Sequence, residues 1–417
     1  MTAAYQANVA LTPGPPARRP GDAPNPLVVI ETHPIQYHAP VYRDVESSLG
    51  IPVTVIYGSD FSVAGYCDRE FGASFRWDTD LLSGYTASFL STVSAGGAST
   101  AEQVHARGLS AAVSAVRPGA ILLTGYSPRF HRSAWIAALR SRCPVLLRAE
   151  TTDHAQERSR TRAWLRTMAL RRFYRACARL LYVGCQSHQH FARLASPDKL
   201  VFAPYCVDTS AFQCGEEARA QLRPAAREAL NVGVTDTVLL FSGKLSPRKG
   251  PDLLLDAVRL LPAEIRHAVT VVFLGSGELQ AELQKLSHNV PAVHTRFLGF
   301  QNQTQLSRYY HAADLLVLPS RHSETWGLVV NEALHHGVPC VVSQAVGCAP
   351  DLVEAGVTGE IAATCSTESL TAALQRALAL VGRPETRQMC RAKVAGYSVE
   401  IAAQGIAEAY WAVVKRN

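Results

Sequence analysis

Glu324 and Glu332 stand eight positions apart in SETWGLVVNEAL (323–334), with a Trp-Gly step between them and apolar residues around the second. Upstream, FSGKLSPRKG (241–250) carries Lys244, Arg248 and Lys249 in one short stretch behind Gly243. Cations on a loop that opens a helix suit a diphosphate, because ammonium and guanidinium groups make charge-assisted hydrogen bonds to its oxygens. Backbone N–H groups around Gly327 and Leu328, at a helix start, can hold further phosphate oxygens. A phosphate seated between that helix start and the lysines has a nucleoside on one side and its cargo on the other. One glutamate can then accept hydrogen bonds from ribose hydroxyls, and the other from hydroxyls of a sugar. Each residue alone also has an ordinary reading as a surface cation or an exposed helix acid.

The elements that must position these groups are short apolar runs separated by helix-length segments. Strands are expected at 27–30, 52–57, 119–123, 144–148, 180–183 and 200–203, and in a second series at 237–242, 269–274, 294–298, 314–318 and 338–342. Runs that are apolar on both faces indicate parallel sheets covered by helices on each side. The α/β reading is therefore two doubly wound domains. In such sheets ligands bind beyond the carboxyl ends of the strands, where the cation loop and the glutamate segment both fall. If the chain is helical from Leu328, Glu332 lies two turns into that helix and Glu324 in the loop before it. FLGSGE (273–278) is a glycine-rich turn whose plainest reading is a tight connection.

At 417 residues, with 47% hydrophobic and 18% charged residues and a mean hydropathy near zero, the chain has ordinary globular composition. No apolar run approaches the roughly 18–20 residues that span a bilayer. The first 26 residues, rich in Pro, Ala and Gly, read as a flexible tail without the pattern of a secretion signal, and a cytoplasmic protein is expected. Ten cysteines show no pair at the two-residue spacing of a zinc or redox site, which favours buried thiols. The net charge of +7 concentrates between Arg158 and Arg179, where eight arginines occur with no acid. Leu165, Ala169, Phe173, Cys177 and Leu180 mark an apolar stripe on this basic helix. It has two readings: a solvated face on a packed helix, or peripheral contact with an anionic membrane face. Nucleic acid fits less well, since few side chains are placed to stack on bases.

The chain resembles glycosyltransferase family 4, with its GT-B fold of two Rossmann-like domains facing each other across a cleft. The resemblance rests on GKLSPRKG, FLGSGEL, FLGF, HAADLLVLPSRHSETWGLVVNEALHHGVPCVVS and GCAPDLVEAGVTGEI, in that order over about 237–362. THPIQYHAPVYR (32–43) and FRWDTDLLSGY (75–85) are similar to a subset of the family. The resemblance implies that Lys244 and Lys249 bind the donor diphosphate, Glu332 the ribose and Glu324 the donor sugar. It also implies that Leu298, Gly299 and Phe300 contact the base by backbone. A retaining, metal-independent transfer from a UDP- or GDP-linked sugar follows, with no cofactor, in glycan or glycoconjugate synthesis. The sequence departs from the family at Lys244, where Arg is commoner, and in lacking the family's histidine at a first-domain strand end. There LLTGYSPRFH offers Thr124, Tyr126 and His131.

The resemblance divides the chain into a tail (1–26), an acceptor domain (27–205), a linker (206–235) and a nucleotide-sugar domain (236–395). A final helix (396–417) crosses back to the first domain. Acceptor candidates are His33, Gln36, Tyr126 and Glu150, with His38, Arg148 and Asp153 at neighbouring strand ends. Asp78 and Asp80 have a spacing that chelates metal in another transferase fold; here a loop feature is the expectation. Within the fold the rival is a nucleotide-sugar epimerase or hydrolase, and a rival of another class is a catalytically silent binding or regulatory subunit that keeps the scaffold. A dinucleotide oxidoreductase is disfavoured, because no strand leads into Gly-x-Gly-x-x-Gly.

Overall fold

The computed structural model describes residues 24–68, 73–75, 77–126, 129–152, 160–288 and 293–414. Most of the expected tail, Asp153 and Arg158 lie outside these. Nine strands belong to the first half: β1 (Leu27–Glu31), β2 (Val53–Tyr57), β3 (Tyr66–Asp68), β4 (Ala73–Phe75), β5 (Thr86–Phe89), β6 (Ala120–Leu123), β7 (Val145–Ala149), β8 (Arg179–Tyr182) and β9 (Leu200–Phe202). Six follow: β10 (Thr237–Ser242), β11 (Val269–Leu274), β12 (His294–Phe297), β13 (Leu315–Leu318), β14 (Cys340–Ser343) and β15 (Gly359–Ala362). β3 and β4 form a small antiparallel pair. The rest make two parallel sheets, ordered β5-β2-β1-β6-β7-β8-β9 and β12-β11-β10-β13-β14-β15.

Alternation along each strand feeds two cores per sheet. In β10, Val238 and Leu240 join one apolar layer and Leu239 and Phe241 the other. In β1, Leu27 and Val29 point one way and Val28 and Ile30 the other. Helices cover both faces, so neither face needs polar residues. The closing helix Val399–Trp411 places Ala402, Ala403, Ile406 and Tyr410 in a core layer of the first sheet. There the Tyr410 hydroxyl donates to the Asn25 carbonyl.

Three expectations need correction. Within the supposed linker, Glu216–Ala229 is a helix that runs through Pro224. It is held to the second sheet by Arg223 and Arg227, which bond Asp314 at 2.6 and 3.1 Å. That buried ion pair, made 87 or more residues away in sequence, outweighs the local signal of a helix-breaking proline. The helix Leu328–His335 begins where expected, but Glu332 is its fifth residue, one turn in rather than two. The expected apolar stripe of the basic helix Arg160–Ala176 and the residues after it is inside only in part: Cys177 and Leu180 are buried and Phe173 packs on a core layer, whereas Leu165 and Ala169 face solvent and Leu170 and Tyr174 are buried instead.

Candidate active site

In each sheet the strand order reverses beside the strand that opens it, between β1 and β6 and between β10 and β13. A crevice opens at such a switch point because the two flanking loops leave to opposite faces. The cation loop follows β10 and the glutamate loop follows β13, so both flank one crevice.

Backbone contacts lock these loops together. Gly243 N bonds the Leu274 carbonyl at 2.9 Å, and Leu245 N bonds that of Ser276 at 3.0 Å. At Gly275 (φ +139°) a Cβ would lie 2.0 Å from the Gly243 carbonyl oxygen, which only glycine avoids. The FLGSGE turn is thus a close backbone crossing that supports the cation loop. Gly327 caps the helix Leu328–His335 in a left-handed conformation (φ +98°), so Leu328 opens a first turn whose leading N–H groups have no i−4 carbonyl within the helix.

The structure brings Glu324 and the cations together. Glu324 is 8% exposed, and its Oε2 accepts from Lys249 Nζ at 2.6 Å, Arg248 at 3.2 Å and Ser320 Oγ at 3.1 Å. Lys244 stands half-buried at the head of the same loop, after Gly243. Glu332 is deeper, at 3% exposure. Its Oε2 accepts from the Tyr310 hydroxyl at 2.6 Å and its Oε1 from that of Tyr37 at 3.4 Å. Burial pushes the Glu332 carboxyl up to about 7, against the two tyrosine bonds and the nearby Lys249 charge. Lys249 therefore acts on both glutamates.

This shift has a measurable consequence. A carboxyl raised from about 4.5 to about 7 in the folded chain binds its proton more tightly there than when unfolded. Its contribution to stability is complete below about pH 4.5 and is lost as pH rises through about 7. Glu332→Gln is expected to flatten that decline in thermal midpoints measured across this window. An unchanged slope would show that Glu332 titrates normally.

Leu298, Gly299 and Phe300 follow β12 on the same rim. Gly299 (φ +67°) accepts from Gly275 N at 2.9 Å, and the Phe300 ring meets Trp77 of the first domain edge-on at 6.1 Å. Beside them, Asp78 Oδ2 accepts from Thr304 N at 3.3 Å, capping the helix Gln303–Ala312 from the opposite domain. Asp80 instead accepts from Leu82 N and Ser83 N at 3.0 and 3.2 Å in its own loop. The two aspartates thus serve different structural ends, and no cluster of three metal-binding side chains occurs among the described residues.

The first-domain candidates divide. Glu150 reaches the second domain: burial raises its carboxyl, and its partners are the hydroxyls of Thr325 and Tyr205, with Glu324 close enough to add repulsion. Gln36 is buried beside Tyr37, its amide bonding the Tyr37 hydroxyl. His33 packs on Phe61 at 4.5 Å and bonds Thr32 Oγ1 at 2.9 Å, and burial lowers its imidazole to about 4. Tyr126 turns away toward the basic helix, where Arg166 donates to its hydroxyl at 3.0 Å. Arg148 is a buried strut donating to the carbonyls of Ala203 and Pro204.

Sequence reasoning missed Tyr37, Tyr310 and Glu31. The tyrosines had no local signal, being 295 and 22 residues from the glutamate they bond. Glu31 did have one, as an acid ending an otherwise apolar strand. It is 1% exposed and accepts from His38 at 2.8 Å, Tyr42 at 2.5 Å and Thr124 at 3.1 Å. Burial works to raise its carboxyl, but the His38 charge and the bonds from His38 and Tyr42 outweigh it and hold it below the usual range.

Two Rossmann-like domains, meeting through loops at the carboxyl ends of parallel strands, define the GT-B fold. Residues 223–395 match the family model described as Glycosyl transferases group 1. The chain is 35% identical over 202 residues to a D-inositol 3-phosphate glycosyltransferase of Mycobacterium leprae, covering 48% of this chain and 45% of the relative. The match thus spans less than half of that relative's length. Among solved structures, Anabaena Alr3699/HepE in complex with UDP superposes with a TM-score of 0.67 at 18% identity, covering 92% of this chain and 98% of that one. The catalytic domain of starch synthase IV from Arabidopsis thaliana, bound to ADP and acarbose, gives 0.66 at 14% identity, covering 94% and 100%. At these identities the structural likeness is one of fold.

Proposed function

We propose that the protein is a retaining, metal-independent glycosyltransferase of family 4 that moves a sugar from a UDP- or GDP-linked donor to a hydroxyl acceptor. The observation that carries this reading is the Lys249–Glu324 pair at the second sheet's switch point, with Glu332 buried beside it and Lys249 acting on both carboxylates. In this reading Lys244, Lys249 and the helix start at Gly327–Leu328 take the diphosphate. Glu332 takes the ribose after Tyr37 withdraws, and the backbone at 298–300 takes the base. Glu324 holds hydroxyls of the departing sugar. As the sugar–phosphate bond breaks, charge grows on the diphosphate, and fixed cations stabilise it more than the ground state. The acceptor, held near Glu150 and Gln36, attacks from the face the diphosphate leaves, which retains the anomeric configuration.

Release of free nucleoside diphosphate from pooled UDP- and GDP-sugars, with and without hydroxyl acceptors, tests the reading. Release that depends on acceptor supports transfer. Equal release without acceptor would make the protein a hydrolase, and an absence of nucleotide binding by native mass spectrometry would overturn the site. EDTA is expected to leave the rate unchanged; loss restored by Mn²⁺ would require a metal.

A further inference from the structure

Eight large hydrophobic side chains are exposed among the described residues, and five of them fall on two neighbouring helices of the first domain. Trp164, Leu165 and Met168 project from the basic helix Arg160–Ala176, and Ile136 and Leu139 from the helix Arg129–Ser141, each between 47% and 63% exposed. The helices meet where Trp135 packs on Phe173, with ring centroids 4.4 Å apart. Leu139 lies one turn beyond Trp135, while Ala169 and Leu165 lie one and two turns before Phe173. The apolar groups therefore flank a common seam.

The same face is cationic. Trp164, Met168, Arg172 and Arg175 recur at helical spacing along one row, with Arg171 beside them, and the three arginines are exposed. Neither helix contains an acid. An exposed Trp, Leu and Met cost free energy in water, and a packed core had other positions of this helix available, since Leu170 and Tyr174 already fill it. A second copy of this face would bring arginines against arginines. A surface that is apolar and anionic at once satisfies both halves: acyl chains for the tryptophan, leucine and methionine, and headgroups for the guanidinium groups.

We propose that this two-helix face docks on a lipid bilayer carrying anionic headgroups, with Trp164, Leu165 and Met168 entering the interface and Arg171, Arg172 and Arg175 resting on it. The proposal is independent of the reaction assigned to the cleft. The test is co-sedimentation of the full chain with vesicles of phosphatidylcholine alone and of phosphatidylcholine mixed with phosphatidylglycerol. Binding is expected only to the mixed vesicles, with a blue shift of tryptophan emission that Trp164→Phe diminishes. The triple variant Trp164→Ser/Leu165→Ser/Met168→Ser and the triple variant Arg171→Glu/Arg172→Glu/Arg175→Glu should each lose about tenfold or more in binding. Both should keep the parent's circular dichroism and thermal midpoint. Absence of binding to mixed vesicles overturns the proposal. So does binding that the serine variant retains in full, which would reduce the face to a solvated polycation. A dimer in light scattering that the serine variant dissociates, without vesicle binding, would assign the face to a second copy instead.

Discussion

Glu324→Gln is expected to slow transfer about 10²–10³-fold, the scale on which loss of one preorganised polar contact at a reacting centre is felt. Affinity for free nucleoside diphosphate should stay nearly unchanged. The amide keeps the shape of the side chain but removes the charge that Lys249, Arg248 and Ser320 converge on. Free diphosphate lacks the sugar that Glu324 is proposed to hold, so its binding has no contact there to lose. Glu332→Gln should behave in the opposite sense, weakening diphosphate and donor alike, because both carry the ribose. Calorimetry with the diphosphate and turnover assays on both variants separate the roles. Equal loss of diphosphate affinity in the two would mean that the glutamates act as one structural unit.

Lys249→Ala is expected to weaken binding of the nucleoside diphosphate by about 10- to 100-fold, from a charge-assisted contact of roughly 1.5–3 kcal/mol. The geometry adds a second effect. Lys249 is the shortest partner of a nearly buried carboxylate, so its removal leaves Glu324 with Arg248 and Ser320 alone. A lower thermal midpoint in the absence of nucleotide should accompany the affinity loss. Lys249→Arg should restore charge and much of the stability. Diphosphate affinity that survives Lys249→Ala would remove this lysine from the site.

The strands were legible because both of their faces are buried. LVVI, AILL, VTVVFL and LLVL are apolar without interruption, and each appears within two residues of its expected position as β1, β6, β11 and β13. Of the four edge strands, β9 and β12 were legible but β5 and β15 were not: they are TASF and GEIA, where polar residues and glycine interrupt the apolar run. The helix Glu216–Ala229 was hidden by Pro224, since local propensity carries no information about Asp314. On the basic helix, composition established that it was cationic and amphipathic. Which apolar residues it buried depended on a neighbour, because Trp135 packs on Phe173 and leaves Leu165 outside.

The site divides along the same line. By itself the sequence determined the residue types and their order at strand ends: cations after β10, a glycine and two glutamates after β13. Those are local properties, since a loop's position at a carboxyl end follows from the strand that precedes it. Only the tertiary structure decided what each group touches. Lys249 turns to Glu324 because β10 and β13 are adjacent at the switch point, although 75 residues separate the pair. Glu332 carries a carboxyl raised to about 7 because its burial outweighs the opposing bonds from Tyr310 and Tyr37, which reach it from separate elements and separate domains. Desolvation is a property of everything that surrounds a group, and no stretch of chain encodes its own surroundings.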